Sequence, residues 1–391
     1  MLTTYKKKIK LISLLLSSLI IMNYIIMFIH YNKFLSTIIA ASYLLLIMLF
    51  FFLKINESAI FKLTLLMLGI IAAGSPPVDW DTWAIWLFHA KRIFIEENFF
   101  VTLNNYTNLH NSYPLIAPSF MASFGNLIQG WNLLLPKFSI YLLYIPPLIY
   151  ANSIFNNKFN LILLLITNLI INKFLFNGYI DGLIAIYFSF CVYLIYELIF
   201  EEKKDIVDFL ILYFFLTILS LLKNEGFVLV LIILSLLFIK NFIDKKKVGK
   251  IDKNFFLYLS IFPYLLWKLV SIINGIGTDV VSDAKFERII NYDILMDSIL
   301  MIFESLFLNF QSLMSFLVLV ISFYFCKDKK LLYVTLYCIV IYMLILISIY
   351  FITPHDLSWH LNTSGARVMM AIHYVVFLSS LISFNKNYRF I

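Results

Sequence analysis

Apolar windows of about 17 to 25 residues, nearly free of charge, recur along the whole 391-residue chain, and each is long enough for a helix to cross about 30 Å of hydrocarbon. The windows are continuously apolar rather than alternating, which disfavours a closed β-barrel. Only 13% of residues are charged and 62% are hydrophobic, with a mean hydropathy of +0.92, more apolar surface than a soluble domain can hide. The fold expected is all-α: one integral membrane domain over residues 1–391, built as a polytopic helical bundle.

Candidate spans fall at about 11–29, 35–53, 59–73, 136–154, 159–175, 181–200, 206–222, 226–241, 254–272, 296–325, 331–352 and 367–384, about twelve crossings. Pro146 and Pro147 fall inside one of them and should kink it. Cys191, Cys326 and Cys338 lie in or beside apolar segments without CxxC spacing, and read as packing residues. The basic start, Lys6, Lys7, Lys8 and Lys10, imitates a signal peptide. No small-residue cleavage site follows it, so a retained first helix is expected.

Lysine and arginine are retained on the cytoplasmic side of short connections. With both termini cytoplasmic, that side carries Lys6 to Lys10, Lys54, Lys62, Lys158, Lys203, Lys204, the Lys240 to Lys253 cluster, Lys327 to Lys330, Lys386 and Arg389. The segments 74–135, 274–295 and 353–367 then become extracytoplasmic loops. Leu115 to Ile128 is too short for a span, and crossing there would invert every later loop. It is expected to lie on the outer membrane surface, as is a helix with the stripe Trp83, Trp86, Leu87, Ala90 and Phe94.

The first outer loop concentrates the unusual residues. Asp79 and Asp81 follow Pro76 and Pro77 and stand among Trp80, Trp83 and Trp86. One of the two aspartates can cap the helix starting near Thr82. A carboxylate at the membrane surface can also take a proton from a bound hydroxyl or hold a cation. Asp181 opens a span after Gly178, where the helix dipole alone favours an acid, yet it shares the face of Asp81. Lys223-Asn224-Glu225-Gly226 reads either as a tight turn with a local ion pair or as a substrate rim. Arg367, expected at the membrane edge before the last span, either snorkels or offers a fork of donors to a lipid phosphate. His355 and His360 lack a third ligand for a metal site, and Lys91 and Arg92 suit contact with anionic headgroups.

Taken in order, the Trp80-Asp81-Thr82-Trp83-Ala84-Ile85-Trp86 run with Lys91, Tyr113-Pro114-Leu115, Gly178-Tyr179-Ile180-Asp181, Lys223-Asn224-Glu225-Gly226, and Trp359-His360-Leu361 with Arg367 resemble bacterial membrane glycosyltransferases of the GT-C superfamily. These are relatives of the protein mannosyltransferases and the aminoarabinose transferases that use polyprenyl-phosphate sugars. The resemblance implies two juxtamembrane helices in the first large outer loop and a catalytic carboxylate at its start, here Asp81, with Asp79 as the alternative. It implies an inverting transfer in the bacterial plasma membrane, with the site on the outer face. Substrate contacts would come from Asp181, Lys223, Glu225, Arg367, His360, Lys91, Arg92 and Tyr113. Asp81 and Asp181 are the ligands for a divalent cation, Mg or Mn, if one is used. The partners implied are a lipid-linked sugar donor, a glycan, lipid or protein acceptor, and membrane lipids, with no nucleic acid. Two departures stand: two apolar spans precede the one ending near Ala73, and the large C-terminal soluble domain of some members is not seen. A transporter or flippase, or an oligosaccharide ligase or polymerase, is the alternative function.

Overall fold

The computed structural model describes residues 2–53, 59–103, 110–155, 157–201, 205–243, 253–277 and 286–388. Lys54, Lys203, Lys204, Arg389, most of the Lys240 to Lys253 cluster and residues 278–285 of the second outer loop lie outside them. The described residues are helical without strands. In chain order the helices are α1 (Leu2–Ile29), α2 (Lys33–Phe52), α3 (Ala59–Gly74), α4 (Phe88–Glu96), α5 (Ile116–Leu127), α6 (Leu134–Leu143), α7 (Ile145–Ile154), α8 (Asn157–Ile171), α9 (Asp181–Phe200), α10 (Ile206–Leu222), α11 (Asn224–Ile243) and α12 (Phe262–Ile273). They continue with α13 (Glu287–Ile290), α14 (Tyr292–Phe307), α15 (Phe310–Phe325), α16 (Lys330–Ile352) and α17 (Leu357–Tyr388).

Helix α9 is apolar all round and every residue from Asp181 to Tyr196 is buried, so it forms the axis of the bundle. Helices α10 and α17 pack along it, and α1 closes against α7 and α10. An outer ring, α2, α3, α12, α14 and α15, shows large apolar side chains such as Phe34, Met67, Leu269, Phe303 and Phe316. Helices exposing that much apolar surface need lipid around them.

Among the described residues nine helices are long and apolar enough to cross a membrane, or ten if α14 and α15 count as one broken span. Sequence reading expects one crossing over 296–325. The structure bends there by 68°, where Asn309 caps α15 and its amide donates to the Ser305 and Leu306 carbonyls. The expected crossings at 59–73 and 206–222 appear as helices of 16 and 17 residues, which at 1.5 Å per residue reach only about 25 Å. The prolines expected to kink one span do coincide with a break at Tyr144, between α6 and α7.

Several helix ends are closed by a cation from a neighbour, since the last carbonyls of a helix lack internal partners. Lys62 of α3 donates to Phe51 O (3.2 Å) and Leu53 O (2.5 Å) at the end of α2. Buried Lys137 of α6 donates to the carbonyls of Ala72 and Ser75 at the end of α3. Lys240 reaches Ile199 O of α9 at 2.5 Å, and Arg288 reaches Thr353 O (2.5 Å) and His355 O (2.6 Å) beyond α16.

Three local expectations are corrected. Helix α5 is not an exposed surface helix: Ile116 to Asn126 are all buried, packed on α2, α4, α6 and α1. Its Ser119 and Ser123 return their hydroxyls to the carbonyls of Ile116 (2.9 Å) and Phe120 (2.7 Å), while Asn126 donates to Ser36 Oγ at 2.7 Å. Residues that read as a polar face are small residues permitting close packing. The stripe expected from Trp83 to Phe94 is shifted as well. Trp86, Leu87 and Ala90 of that stripe are buried as expected, but Thr82–Leu87 winds as a π-helix, which leaves Trp83 44% exposed and adds Thr82, Ile85, His89 and Ile93 to the inward face. Finally, 353–367 is not a loop. Asp356 accepts from Trp359 N at 2.8 Å and α17 begins at Leu357, so Arg367 lies nearly three turns inside a helix.

Candidate functional site

Three chain segments converge where α9 begins. The turn before α9 passes tightly against the start of the π-helix: Thr82 Oγ1 donates to Asn177 O at 2.9 Å. Gly178 there has φ +95, and a Cβ on it would meet Thr82 Cγ2 at 2.6 Å, so only glycine fits. This docking holds Asp79 against Asn177 and sets Asp81 within reach of Arg367, which lines one cavity with Asp181. The sharp α10–α11 connection brings in Lys223 and Glu225, and Gly226 permits it because a Cβ there would strike the Leu219 carbonyl. Arg367 arrives from α17.

The charges pair directly. Arg367 donates through Nη1 to Asp81 Oδ2. Lys223 lies 3.2 Å from Asp181 Oδ1 and 3.2 Å from Glu225 Oε1, with the Lys223 and Asp181 side chains each only 6% exposed. Burial opposes the charge on Lys223, but the Asp181 and Glu225 carboxylates outweigh it and hold the ammonium well above the usual lysine range. Asp79 accepts from Asn177 Nδ2 and lies 3.7 Å from Lys173. Asp81 makes no side-chain cap to the helix after it, so the capping reading of Asp81 is set aside.

Aromatic rings frame these charges. The Arg367 guanidinium lies 5.1 Å from the Tyr179 ring centre, and Lys223 Nζ lies 5.6 Å from that of Tyr113, which stacks on Trp86 and His110. Burial pushes both phenols up, so they stay neutral donors at ordinary pH. Asp181, Glu225 and Arg367 line one cavity of about 10 Å³ with Ile184, Tyr342, Val368 and Ala371. That is room for about one water. Each of these three charged residues also keeps a buried atom without a hydrogen-bond partner: Asp181 Oδ2, Glu225 Oε2 and Arg367 Nε.

Lys91 and Arg92 stand apart, while His360 borders the cluster, within reach of the charges of Arg367 and Glu225. Lys91 is exposed on α4, and Arg92 pairs with Glu96 at 3.0 Å. His360 bonds Thr353 Oγ1 at 2.8 Å and contacts the Tyr350 ring. Among the described residues no three His, Cys, Asp or Glu side chains form a metal-binding group. Asp81 and Asp181 already face cationic side chains, so the pair does not fit a divalent ion well.

Sequence reading did not single out Lys173, Asn177 or Lys268. Lys268 lies in α12, donates to Ser112 O at 3.2 Å beside Trp267 Nε1, and sits 5.7 Å from the Tyr264 ring. Its signal was available: a lone lysine inside an apolar window is costly and calls for a partner.

This geometry defines a multi-pass helical membrane protein with a nearly dry cluster of ion pairs at one end of its central helix. No protein-family model matches the chain, and no curated protein and no solved structure matches it.

Proposed function

We propose that this protein is a membrane glycosyltransferase moving a sugar from a polyprenyl-phosphate donor to an acceptor hydroxyl on the extracytoplasmic face. The observation that carries the reading is the set of unpartnered buried atoms around one cavity, two carboxylate oxygens and one guanidinium N–H. Two sugar hydroxyls satisfy all three, each donating to one carboxylate oxygen and one also accepting from the guanidinium, whereas an apolar solute satisfies none. The GT-C-like order of motifs and the basic connections assigned to the cytoplasm support the same reading.

In this mechanism Asp81 is the general base that takes the acceptor proton as its oxygen attacks the anomeric carbon, with inversion. Asp181 and Glu225 orient hydroxyls, and Arg367 and Lys223 face the charge developing on the departing phosphate. The cavity admits only a water-sized group. Substrate binding therefore requires the Arg367–Asp81 pair to part, which frees the base when the sugar is in place. Lys223 and Arg367 already supply the positive charge beside Asp181 and Asp81.

The transporter reading asks for a charge at a broken helix near mid-bundle. The α14–α15 break carries instead an asparagine that is bonded locally.

The test is sugar transfer in membranes supplied with radiolabelled polyprenyl-phosphate sugars, comparing the native chain with Asp81→Asn at equal abundance. Loss of about 10²- to 10⁴-fold is expected for removal of a general base. Unchanged transfer removes Asp81 from the mechanism and favours a cation-driven ligase. No transfer by either chain directs the measurement to lipid flipping.

A further inference from the structure

The four carboxylates of the cluster, Asp79, Asp81, Asp181 and Glu225, face three cations, Lys173, Lys223 and Arg367. Such a set has no positive charge to spare for an incoming anion. Lys268 stands just beyond it. The Ser112 carbonyl it shares with Trp267 belongs to the residue before Tyr113, whose ring carries Lys223. Tyr264, whose ring lies under Lys268, donates to Asn224 Oδ1 at 3.1 Å, next to Lys223 and Glu225. Among the described residues Lys268 has one hydrogen bond and no carboxylate partner. An ammonium has three N–H donors, so two are left over.

Its place on α12 matters equally. Tyr264, Trp267 and Ser271 form the buried face, and Leu265, Leu269 and Ile272 the exposed one. Lys268, half-buried, falls on the seam between them. A half-buried cation without a counter-ion, at the border of a lipid-facing surface, suits an anion that arrives on a lipid.

Resting on the glycosyltransferase reading, we infer that Lys268 is the phosphate-binding residue for the lipid-linked substrate, which reaches the cluster sideways along the outer face of α12. The phosphate oxygen accepts from the two free Lys268 N–H groups while the prenyl chain lies against Leu265, Leu269 and Ile272. Arg367 and Lys223 are neutralised by their own carboxylates at rest and act later, on the charge that develops as the phosphate departs. Lys268 is thus a positioning residue for the donor.

The test measures binding rather than transfer. Purified full-length protein in detergent is titrated with tritiated farnesyl phosphate in a scintillation proximity assay, with farnesol and inorganic phosphate as competitors. Lys268→Gln is expected to weaken binding about tenfold or more, the value of one charge-assisted hydrogen bond, and Lys268→Arg to keep it. Ile272→Glu retains Lys268 but gives it a carboxylate one turn away, and is expected to weaken binding to a similar degree without a buried substitution. Farnesol is expected to compete weakly. Inorganic phosphate competing as well as farnesyl phosphate overturns the lipid source. Unchanged binding by Lys268→Gln and Ile272→Glu, both folded by thermal melting, overturns the site. The two readings fail separately: loss of transfer in Asp81→Asn with intact binding in Lys268→Gln keeps the enzyme and removes this site, whereas the reverse keeps a lipid-phosphate site and removes the mechanism.

Discussion

Asp181 opens α9 and Glu197 lies one turn before its end, so one helix separates two ionic clusters built on different terms. At the far end Lys10 meets Asp208 at 2.5 Å and Asp205 at 3.7 Å, and Lys386 meets Glu197 at 2.8 Å and Glu201 at 3.1 Å, with side chains 21% to 44% exposed. A cavity of about 150 Å³ runs between them, lined by Lys6, Tyr150 and Tyr193 among others. At the near end the cavity is about 10 Å³ and Lys223 is 6% exposed. The far cluster ties the first and last helices to α9 and α10 in contact with water, where each pair adds little. The Lys223–Asp181 pair at the centre of the near cluster is desolvated, so those charges depend on each other and on Glu225. Ion pairs can therefore mean anchorage in one place and stored sensitivity in another.

The sharpest way to break this contrast is Lys223→Met, which leaves Asp181 and Glu225 facing each other in a dry site. A loss of about 3–5 kcal/mol is expected, measured by denaturant unfolding in detergent. Adding Asp181→Asn should recover about 1–3 kcal/mol of it, since the two residues are in contact. Arg367→Lys keeps the charge but gives up the Nη1–H bond to Asp81 Oδ2, and a loss of about 1–2 kcal/mol is expected in the same assay. Lys386→Met at the wet end should cost about 1 kcal/mol or less. If Lys386→Met costs as much as Lys223→Met, the distinction between wet and dry ends fails.

The smallest effect concerns pH. Burial lowers the affinity of Lys223 for its proton, but the Asp181 and Glu225 carboxylates more than reverse this, so its folded value stands above the ordinary 10.5. A lysine raised on folding contributes stability that is complete below its unfolded value and is lost only as pH rises through the folded one. The melting temperature of the native chain should therefore show no loss from this group between about pH 7 and 9, still below the ordinary lysine range. A drop there confined to the native chain, and missing in Lys223→Met, would mean that the ammonium titrates early and its partners do not hold it.

The helical membrane class was legible because hydrocarbon thickness acts on every window alike, whatever the tertiary contacts. The charged residues that gather at the start of α9 were legible as candidates for a related reason: Asp181, Glu225 and Arg367 interrupt apolar sequence, and a charge there needs a partner. Which partner was not legible, because Arg367 and Asp81 are 286 residues apart and meet only through helix packing. The beginning of α17 was misread since the Asp356 cap is a local device inside a polar stretch that also suits a loop. Helix α5 was misread since serine, glycine and asparagine serve a tight interior contact as well as a wet face. Lys268 was passed over because a single charge barely changes the hydropathy of its window.

The lysines that close neighbouring helix ends also set a timetable for synthesis. Lys62 reaches back only 9 and 11 residues to the end of α2, so that helix is completed almost as soon as the next begins. The end of α3 must wait for Lys137, 62 to 65 residues later. At ribosomal rates of about 5–20 residues per second the interval is roughly 3–13 s. Through it the short α3 has its final carbonyls uncapped by that lysine, and they must stay in contact with water, headgroups or the insertion machinery. Until α6 is made, α3 is better suited to the membrane boundary than to a settled crossing.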